Sequence, residues 1–329
     1  MPAAFVRSFV AAATCTALAM ALSAPAAHAQ TDYPAKPIRI VVPYPTGGFN
    51  DTLGRIVAAK LSTAWKQTVI VENKPGGGTV IGTQGVAHAP PDGYTLLVVQ
   101  FPFAANPWLY KSLPYDSAKA FAPVVLAGRS PMLFVVPSTS PLRSMRDVVA
   151  QAKAKPGGLN YGSSGAGSSN HLAMALFENV SGTRMTQVPY KGSTPLLTDL
   201  AGGQVDLAID LLPHALPFIQ SGRLRALAIA GTQRSPLMPD LPTTTEAGIP
   251  SYEVTSWHGV VAPAGTPPAV IDKLNRELNT IFAMDDVKKT FAQQGVVPDG
   301  GTPAQFQQFI DGQMALWKMV VQDAAITAE

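Results

Sequence analysis

Short apolar runs that predict buried strands alternate along the chain with stretches whose apolar residues recur at helical spacing. Leu53, Ile56, Val57 and Leu61, for example, form one stripe that predicts a helix. Strands that alternate with helices build a largely parallel sheet with helices on its faces. We therefore predict an α/β fold, with strands at residues 38–42, 69–71, 95–99, 124–127, 133–136, 159–161, 205–209, 224–230 and 259–262.

Helix starts are marked by local signals near the carboxyl end of the chain. Thr266-Pro267 reads as a helix start, and Thr302-Pro303-Ala304-Gln305 has the form of a capping box with proline at the first helical position. We predict that a helix begins at each, and that both helices have a structural role, covering the core.

Length and composition narrow the class of protein. A chain of 329 residues predicts two core-forming units rather than one. With 47% hydrophobic and 14% charged residues, the chain has ample apolar surface for folding. The 24 basic and 21 acidic residues include no basic run, so we expect no nucleic-acid partner.

The amino terminus predicts an export signal. Arg7 precedes an apolar run at 9–22, and Ala27-His28-Ala29 has the form of a signal-peptidase site, so we place cleavage after Ala29. The alternative, a membrane anchor, is disfavoured because the run is shorter than the roughly 20 residues that cross a bilayer. The chain's one cysteine, Cys15, lies within this segment. The mature chain therefore has neither disulfide nor thiolate metal site, and we expect no cofactor and no metal.

One pattern recurs in both halves: an apolar strand runs into a Gly/Ser-rich loop that opens a helix. The sequences are YPTGGFND at 44–51, here called the first loop, and GSSGAGSS at 162–169, the second loop. Such a loop leaves backbone N–H groups unpaired in front of the positive end of a helix, which suits an anion. The alternative is that these residues only make tight turns. Two matched loops favour two anion sites across a cleft, one for each end of a carboxylate ligand.

The residues around these loops give the candidate binding site. Asp210 follows a predicted strand and suggests ligand contact, with helix capping as the alternative. Lys191 could bring a cation to a carboxylate or simply be solvated. Phe49, Phe101 and Phe103 are expected in loops, where they would line a pocket, with core packing as the alternative. The full set of ligand-binding candidates is Tyr44, Thr46, Gly47, Gly48, Phe49, Asn50, Phe101, Phe103, Ser164, Ala166, Gly167, Ser168, His171, Lys191 and Asp210.

Other residues in and beside these loops suggest a structural or an enzymatic role. Asp51 is expected to cap the first helix or to pair with Arg55. Ser164 or Ser168 with His171 could suggest a hydrolase, but no G-x-S-x-G motif or third partner is present. His171 falls in the first helical turn, where a neutral imidazole that orients the loop or touches ligand is favoured over a general base. We therefore predict a binding protein and not an enzyme.

The sequence resembles the Bug-type receptors, the periplasmic solute-binding proteins of tripartite tricarboxylate transporters, over essentially the whole mature chain. In the first half the matching blocks are at 33–38, 43–48 with Asp51, 71–76, 91–96 and 106–107. In the second half they are at 161–168 with His171, 188–192, 203–206, 224–228, 239–243, 246–248 and 262–267.

The resemblance implies a type II periplasmic-binding-protein fold, with two lobes joined by two crossing strands and closing on a small organic acid. It implies a first lobe at 31–131 plus 256–329 and a second lobe at 132–255. It also implies a monomer in the periplasm that delivers its ligand to membrane permease subunits. A sensor partner of a membrane histidine kinase is the alternative, and a hydrolase is a weaker one. Thr46 and Phe49-Asn50 depart from the family's usual loop. From Phe49, Phe101 and Phe103 and the absence of arginine in these loops, we expect a carboxylate of moderate size that could be aromatic.

Overall fold

The computed structural model describes residues 33–327, so the export signal and its cleavage site lie outside the described residues. Within them, the strands are β1 (Ile38–Val42), β2 (Val69–Asn73), β3 (Thr95–Gln100), β4 (Phe121–Pro137), β5 (Asn160–Ser163), β6 (Thr186–Pro189), β7 (Leu207–Leu211), β8 (Leu224–Ile229), β9 (Thr255–Pro263) and β10 (Val297–Pro298). The helices are α1 (Phe49–Trp65), α2 (Val80–Ala87), α3 (Pro102–Leu109), α4 (Met145–Ala154), α5 (Ser169–Ser181), α6 (Ser193–Ala201), α7 (Leu212–Gln220), α8 (Pro268–Ala283), α9 (Asp285–Gln293) and α10 (Pro303–Asp323).

Each half of the chain contributes its own set of parallel strands. β1 pairs in parallel with β2 and β3, and β5 pairs in parallel with β6 and β7. The long strands β4 and β9 are antiparallel and stand between the two sets, giving the order β2-β1-β3-β9-β4-β7-β5-β6, with β8 and β10 also paired to β4. The α/β fold is as predicted.

Strand β4 changes partner in its middle. It pairs with β9 as far as Pro131, opposite Thr255, and with β7 from Met132, opposite Leu211. The prediction of two separate strands at 124–127 and 133–136 was therefore wrong. Gly128 and Pro131 suggested a break, but Gly128 lies at a bulge where an added Cβ would be 2.7 Å from the Val297 carbonyl oxygen, and Pro131 lies at the last pair of the ladder with β9.

The registers bring the carboxyl ends of both parallel sets to this crossing point. Gln100, the last residue of β3, lies opposite His258, near the start of β9. Leu211, the last residue of β7, lies opposite Met132 of β4. Because β1 is parallel to β3 and β5 is parallel to β7, the loops that follow β1 and β5 lie at the same edges. The first and second loops are thus turned toward the crossing strands from opposite sides.

The helices cover the sheet as their apolar stripes predict. In α1, Leu53, Val57 and Leu61 are buried, and Gly54 lets the helix approach β1 so closely that a Cβ would be 2.7 Å from a Val42 methyl carbon. In α10 the predicted capping box is confirmed, because the Gln305 N–H donates to Thr302 Oγ1 at 3.2 Å and the Thr302 N–H donates to Gln305 Oε1 at 2.8 Å. Among the described residues, no helix combines the length and apolar character needed to cross a membrane.

Candidate functional site

The first loop presents exposed backbone at the start of α1. Thr46, Gly47 and Gly48 are exposed, and Gly47 has a φ of +96°, a conformation that favours glycine. The Gly48 residue is the N-cap and has no side chain to cap the helix. The first N–H groups of a helix have no acceptor within it, and the helix dipole places positive potential behind them. The backbone geometry of this loop is therefore suited to an anion.

Asp51 holds the first loop in shape and is not itself exposed to a ligand. Its buried carboxylate accepts hydrogen bonds from the Gly47 N–H at 3.0 Å, from Arg55 Nε at 3.0 Å and from Asn73 Nδ2 at 3.0 Å. Burial would raise the pKa of Asp51, but the hydrogen bonds from Arg55, Gly47 and Asn73 outweigh it and hold the pKa below its ordinary value. The predicted pairing with Arg55 is confirmed.

A buried chain of polar side chains ties α1 to β9. Asn50 donates through Nδ2 to Gln100 Oε1 at 3.2 Å, and its Oδ1 accepts from His258 Nδ1 at 2.8 Å. Gln100 Nε2 donates to Ser256 Oγ at 3.0 Å. The Asn50 amide is therefore fully used inside the protein, and of Asn50 the backbone N–H is the part suited to bind ligand. The Phe49 ring packs edge-on against the rings of His258 and Phe291, with centroids 4.4 Å and 4.9 Å away.

Sequence reasoning missed the other members of this chain. His258 is 2% exposed, burial lowers its pKa to about 3, and its Nε2 has no hydrogen-bond partner among the described residues. Its ring is therefore neutral. Gln100 ends the apolar run at 96–99, and His258 lies within β9 directly after Trp257, and a polar residue beside such apolar residues is the signal that could have identified each.

The second loop differs from the first because most of its N–H groups are already paired. The expectation that it leaves several of them free was wrong, since its own side chains supply acceptors. The pairs are Ser164 N–H to Asn170 Oδ1 (3.2 Å), Gly165 N–H to Ser163 Oγ (3.3 Å), Gly167 N–H to His171 Nδ1 (3.1 Å) and Ser168 N–H to the Gly165 carbonyl (3.2 Å). Ala166 is exposed at the tip of the loop.

His171 is a neutral imidazole that orients the second loop, as predicted. Because Nδ1 accepts from the Gly167 N–H, the proton of the neutral ring is on Nε2, and burial lowers the pKa of the ring below its ordinary value. The hydroxyl of Ser164 donates to Asn170 Oδ1, and that of Ser168 donates to the Gly165 carbonyl at 2.6 Å. Both hydroxyl protons are thus directed away from the imidazole, which argues against the hydrolase alternative.

Asp210 lies beneath the second loop rather than at its surface. It is the next-to-last residue of β7, not the residue after the strand as expected, and it is 2% exposed. Its carboxylate accepts from the Leu211 N–H at 2.7 Å, from His214 Nδ1 at 3.0 Å and from Asn170 Nδ2 at 3.3 Å. Asp210 therefore positions the loop through Asn170, whose Oδ1 accepts hydrogen bonds from Ser164.

Of the remaining candidates, Phe101 and Phe103 are engaged in packing and Tyr44 belongs to the first loop. Lys191 follows Tyr190, whose N–H donates to the Ser163 carbonyl of the second loop at 2.8 Å. Phe101 and Phe103 belong to the start of α3 and not to a loop, and their buried rings pack edge-on against Trp317 and Phe121, which supports the core-packing alternative. Lys191 is exposed, between β6 and α6. Tyr44 is half-buried and its carbonyl accepts from Asn73 Nδ2 at 3.2 Å; burial raises the pKa of its phenol well above the ordinary range.

The two anchoring points of the loops are set a short distance apart along β4. His258, which holds Asn50, lies opposite Gly128, and Asp210, which holds Asn170, lies opposite Leu133. Five residues of extended strand span about 16 Å. The two loops are therefore anchored at separate points along the same strand.

The strand order and the placement of the loops define a periplasmic-binding-protein fold. Residues 53–326 match the model of the tripartite tricarboxylate transporter family receptor, and the chain belongs to this family. The family comprises binding proteins of transporters, not enzymes.

Three relatives illustrate the similarity. Protein BugT of Bordetella pertussis is 39% identical over 293 residues, which cover 88% of this chain and 90% of BugT. The structure of R. palustris Rpa4515 with adipate is 37% identical, with a TM-score of 0.76, and covers 90% of this chain and 99% of that one. The structure of MatC from Rhodopseudomonas palustris with bound malate is 31% identical, with a TM-score of 0.72, and covers 88% of this chain and 100% of that one.

Proposed function

We propose that this protein is a periplasmic receptor that binds a small aliphatic dicarboxylate between the first and second loops and delivers it to a tripartite tricarboxylate-type permease. The observation that carries the proposal is the convergence of two strand–loop–helix units, one from each half of the chain, on the same pair of crossing strands. Ligands of open α/β folds bind at such carboxyl ends of strands.

The two halves act as lobes that close on the ligand. The first lobe comprises 31–131 and 256–329, and the second comprises 132–255. The change of partner of β4 between Pro131 and Met132 supports this division. A ligand that contacts both loops only when the lobes are closed shifts the population toward the closed form. The closed form then docks on the permease.

Each carboxylate has its own set of donors. At the first loop, the exposed backbone of Gly48 and the first turn of α1, with Phe49 and Asn50, offer N–H groups to one carboxylate, and the exposed Thr46 supplies a hydroxyl in the same loop. At the second loop, His171 Nε2–H and the Ala166 N–H bind the other carboxylate. Gly167, Ser164 and Ser168 shape that loop through their internal hydrogen bonds.

An aliphatic ligand is favoured over an aromatic one. The three phenylalanines that suggested an aromatic ligand are engaged elsewhere, since Phe49 packs on His258 and Phe291 while Phe101 and Phe103 are buried. Two solved relatives carry adipate and malate, which are both aliphatic dicarboxylates.

Isothermal titration of the mature protein with malate, succinate, adipate, citrate and benzoate tests the proposal. We expect saturable binding of at least one aliphatic dicarboxylate. His171→Ala should weaken it at least about tenfold, because a hydrogen bond to a charged group is lost. His88→Ala, which changes an exposed histidine on the C-cap of α2, is the matched control and should bind as the wild type does.

Two results would contradict the proposal. One is a preference for benzoate over every aliphatic dicarboxylate, and the other is undiminished affinity of His171→Ala. Delivery is tested by uptake of the labelled ligand in cells that lack this protein. Loss of gene induction with normal uptake would instead favour the sensor alternative.

A further inference from the structure

The Asp210 carboxylate is a buried charge on which the second loop depends. All three groups that contact it are donors, namely the Leu211 N–H, Asn170 Nδ2 and His214 Nδ1, so both oxygens act as acceptors, as those of an ionised carboxylate do. Asn170 is 2% exposed and passes the interaction on, since its Oδ1 accepts from both the N–H and the hydroxyl of Ser164. A continuous hydrogen-bonded chain therefore runs from His214 to the surface of the second loop.

Among the groups that hydrogen-bond to Asp210, His214 is the one that can carry a positive charge. It lies in the first turn of α7, where the helix dipole disfavours a cation, and its side chain remains 48% exposed to solvent while Asp210 is buried. The hydrogen bond from His214 to Asp210 raises the pKa of the imidazole above its ordinary value, so the charged form is favoured despite the dipole.

The charged residues on the elements around α7 have other partners. On α6, Asp199 interacts with Tyr190, and on β4, Arg129 pairs with Asp299 at 2.7 Å. On β8, Arg225 donates to the carbonyl oxygens of Ser140 and Leu142 at 3.3 Å each. Arg223, after the end of α7, lies over the Phe218 ring at 4.6 Å. Asp210 is thus the group that raises the pKa of His214, and His214 is the group that can neutralise the charge of Asp210.

Resting on the function proposed above, we infer that His214 is the counter-cation of Asp210 and that its proton sets the affinity of the second loop for carboxylate ligands. With His214 protonated, the pair is neutral and an anionic ligand meets no net charge beneath the loop. With His214 neutral, the negative charge of Asp210 is uncompensated and opposes the ligand. His214 is a positioning residue in this role, because it acts through Asp210 and Asn170 and not by touching ligand.

The sign of the pH dependence follows from the direction of the shift. His214 is protonated at pH values below its raised pKa and loses its charge as the pH rises through that pKa. Dicarboxylate affinity should therefore fall as the pH rises above about 6.5, where the ligand itself stays fully ionised. One charge about 10 Å from a carboxylate, screened at an effective dielectric constant of about 25 to 50, predicts a loss of about three- to tenfold in Kd. His171, whose pKa is lowered, titrates on the acid side of this range.

Titration calorimetry with malate and adipate from about pH 6.5 to 9 tests the inference on three variants. His214→Gln should bind with the weak affinity of the high-pH wild type at every pH. His214→Arg should keep the strong affinity of the low-pH wild type throughout. His88→Gln should reproduce the pH profile of the wild type. A merely structural role of His214 would not make the Gln and Arg variants flat at two different levels.

A measurement without ligand completes the test. Nuclear magnetic resonance titration of the histidine ring protons should give a raised pKa for His214 in the wild type, and Asp210→Asn should return it to the ordinary value. An unshifted His214 in the wild type would overturn the inference, as would a wild-type Kd that does not change over the pH range. Failure to bind any dicarboxylate at any pH would instead contradict the proposed function.

Discussion

Asn50→Ala should destabilise the protein because it removes buried hydrogen bonds, not because it weakens helix α1. Asn50 is 7% exposed and connects two strands, because it donates to Gln100 Oε1 and accepts from His258 Nδ1. Alanine provides neither atom. It also has the best helix propensity, so the secondary structure of α1 itself does not suffer.

The size of the effect follows from the burial of the two partners. His258 is 2% exposed and its Nε2 is already without a partner, so after the substitution neither ring nitrogen would be hydrogen-bonded within the described part of the chain. An unsatisfied buried group costs about 1–3 kcal/mol. Gln100 is only half-buried and can turn toward water, so its share is smaller. We expect the free energy of unfolding to fall by about 2–4 kcal/mol.

Urea unfolding of the mature protein, followed by circular dichroism, measures this difference. Thr63→Ala is the matched control, because Thr63 is exposed on the same helix and hydrogen-bonds only to the Ala59 carbonyl. It should change the free energy of unfolding by no more than about 0.5 kcal/mol. If Asn50→Ala also stayed within about 0.5 kcal/mol of the wild type, the buried chain would not be a stabilising element.

Two further predictions concern packing and pH. Gly259→Ala should lower the free energy of unfolding by about 1–3 kcal/mol, because the new Cβ would lie 2.3 Å from the buried Phe306 ring. The control, Gly85→Ala in α2, meets no atom within 4 Å and should be neutral or stabilising by up to about 1 kcal/mol. Urea unfolding of both variants measures the difference. Below pH 6.5 the unfolded chain protonates His258 while the folded protein, with a pKa of about 3, does not, so stability should fall by up to about 1.4 kcal/mol per pH unit from this residue alone. His258→Gln should show a shallower loss of stability between about pH 6 and 4, and an unchanged slope would contradict the assignment.

The features that the sequence predicts well are those specified by neighbouring residues. The capping box at 302–305 and the run of β1 into the first loop depend on local chemistry and local periodicity, and the structure has both. The continuity of β4, in contrast, does not depend on neighbouring residues alone. Gly128 and Pro131 are ordinary signals of a break, and only the approach of β10 and the change of partner at Pro131 explain why the strand continues through them.

The polar residues that support the site depend on partners far away in the chain. His258 is 208 positions from Asn50, and Asp210 is 40 positions from Asn170. No spacing rule relates such residues. A partial signal was nonetheless present, because Asn50 and Asn170 are each the second residue of the helix that follows a loop. Aligning the two loops by their helix starts would have brought these asparagines together and marked both as anchors.

The composition of the two loops explains why they differ in the structure although they occupy equivalent places. The second loop and its helix start are rich in serine and also contain Asn170 and His171, whose oxygen and nitrogen acceptors pair with the loop's own N–H groups. In the first loop the Gly47 N–H donates to the Asp51 carboxylate and the Asp51 N–H donates to the Gly48 carbonyl. The loop has no serine or histidine, and no side chain caps the helix at Gly48. Acceptor side chains from Ser163, Asn170 and His171 thus fix the second loop by pairing with its backbone donors, and the start of the first helix has no such side-chain acceptor. Under the proposed function, we therefore expect backbone N–H groups to bind one carboxylate at the first loop, and His171 Nε2–H with the Ala166 N–H to bind the other at the second loop.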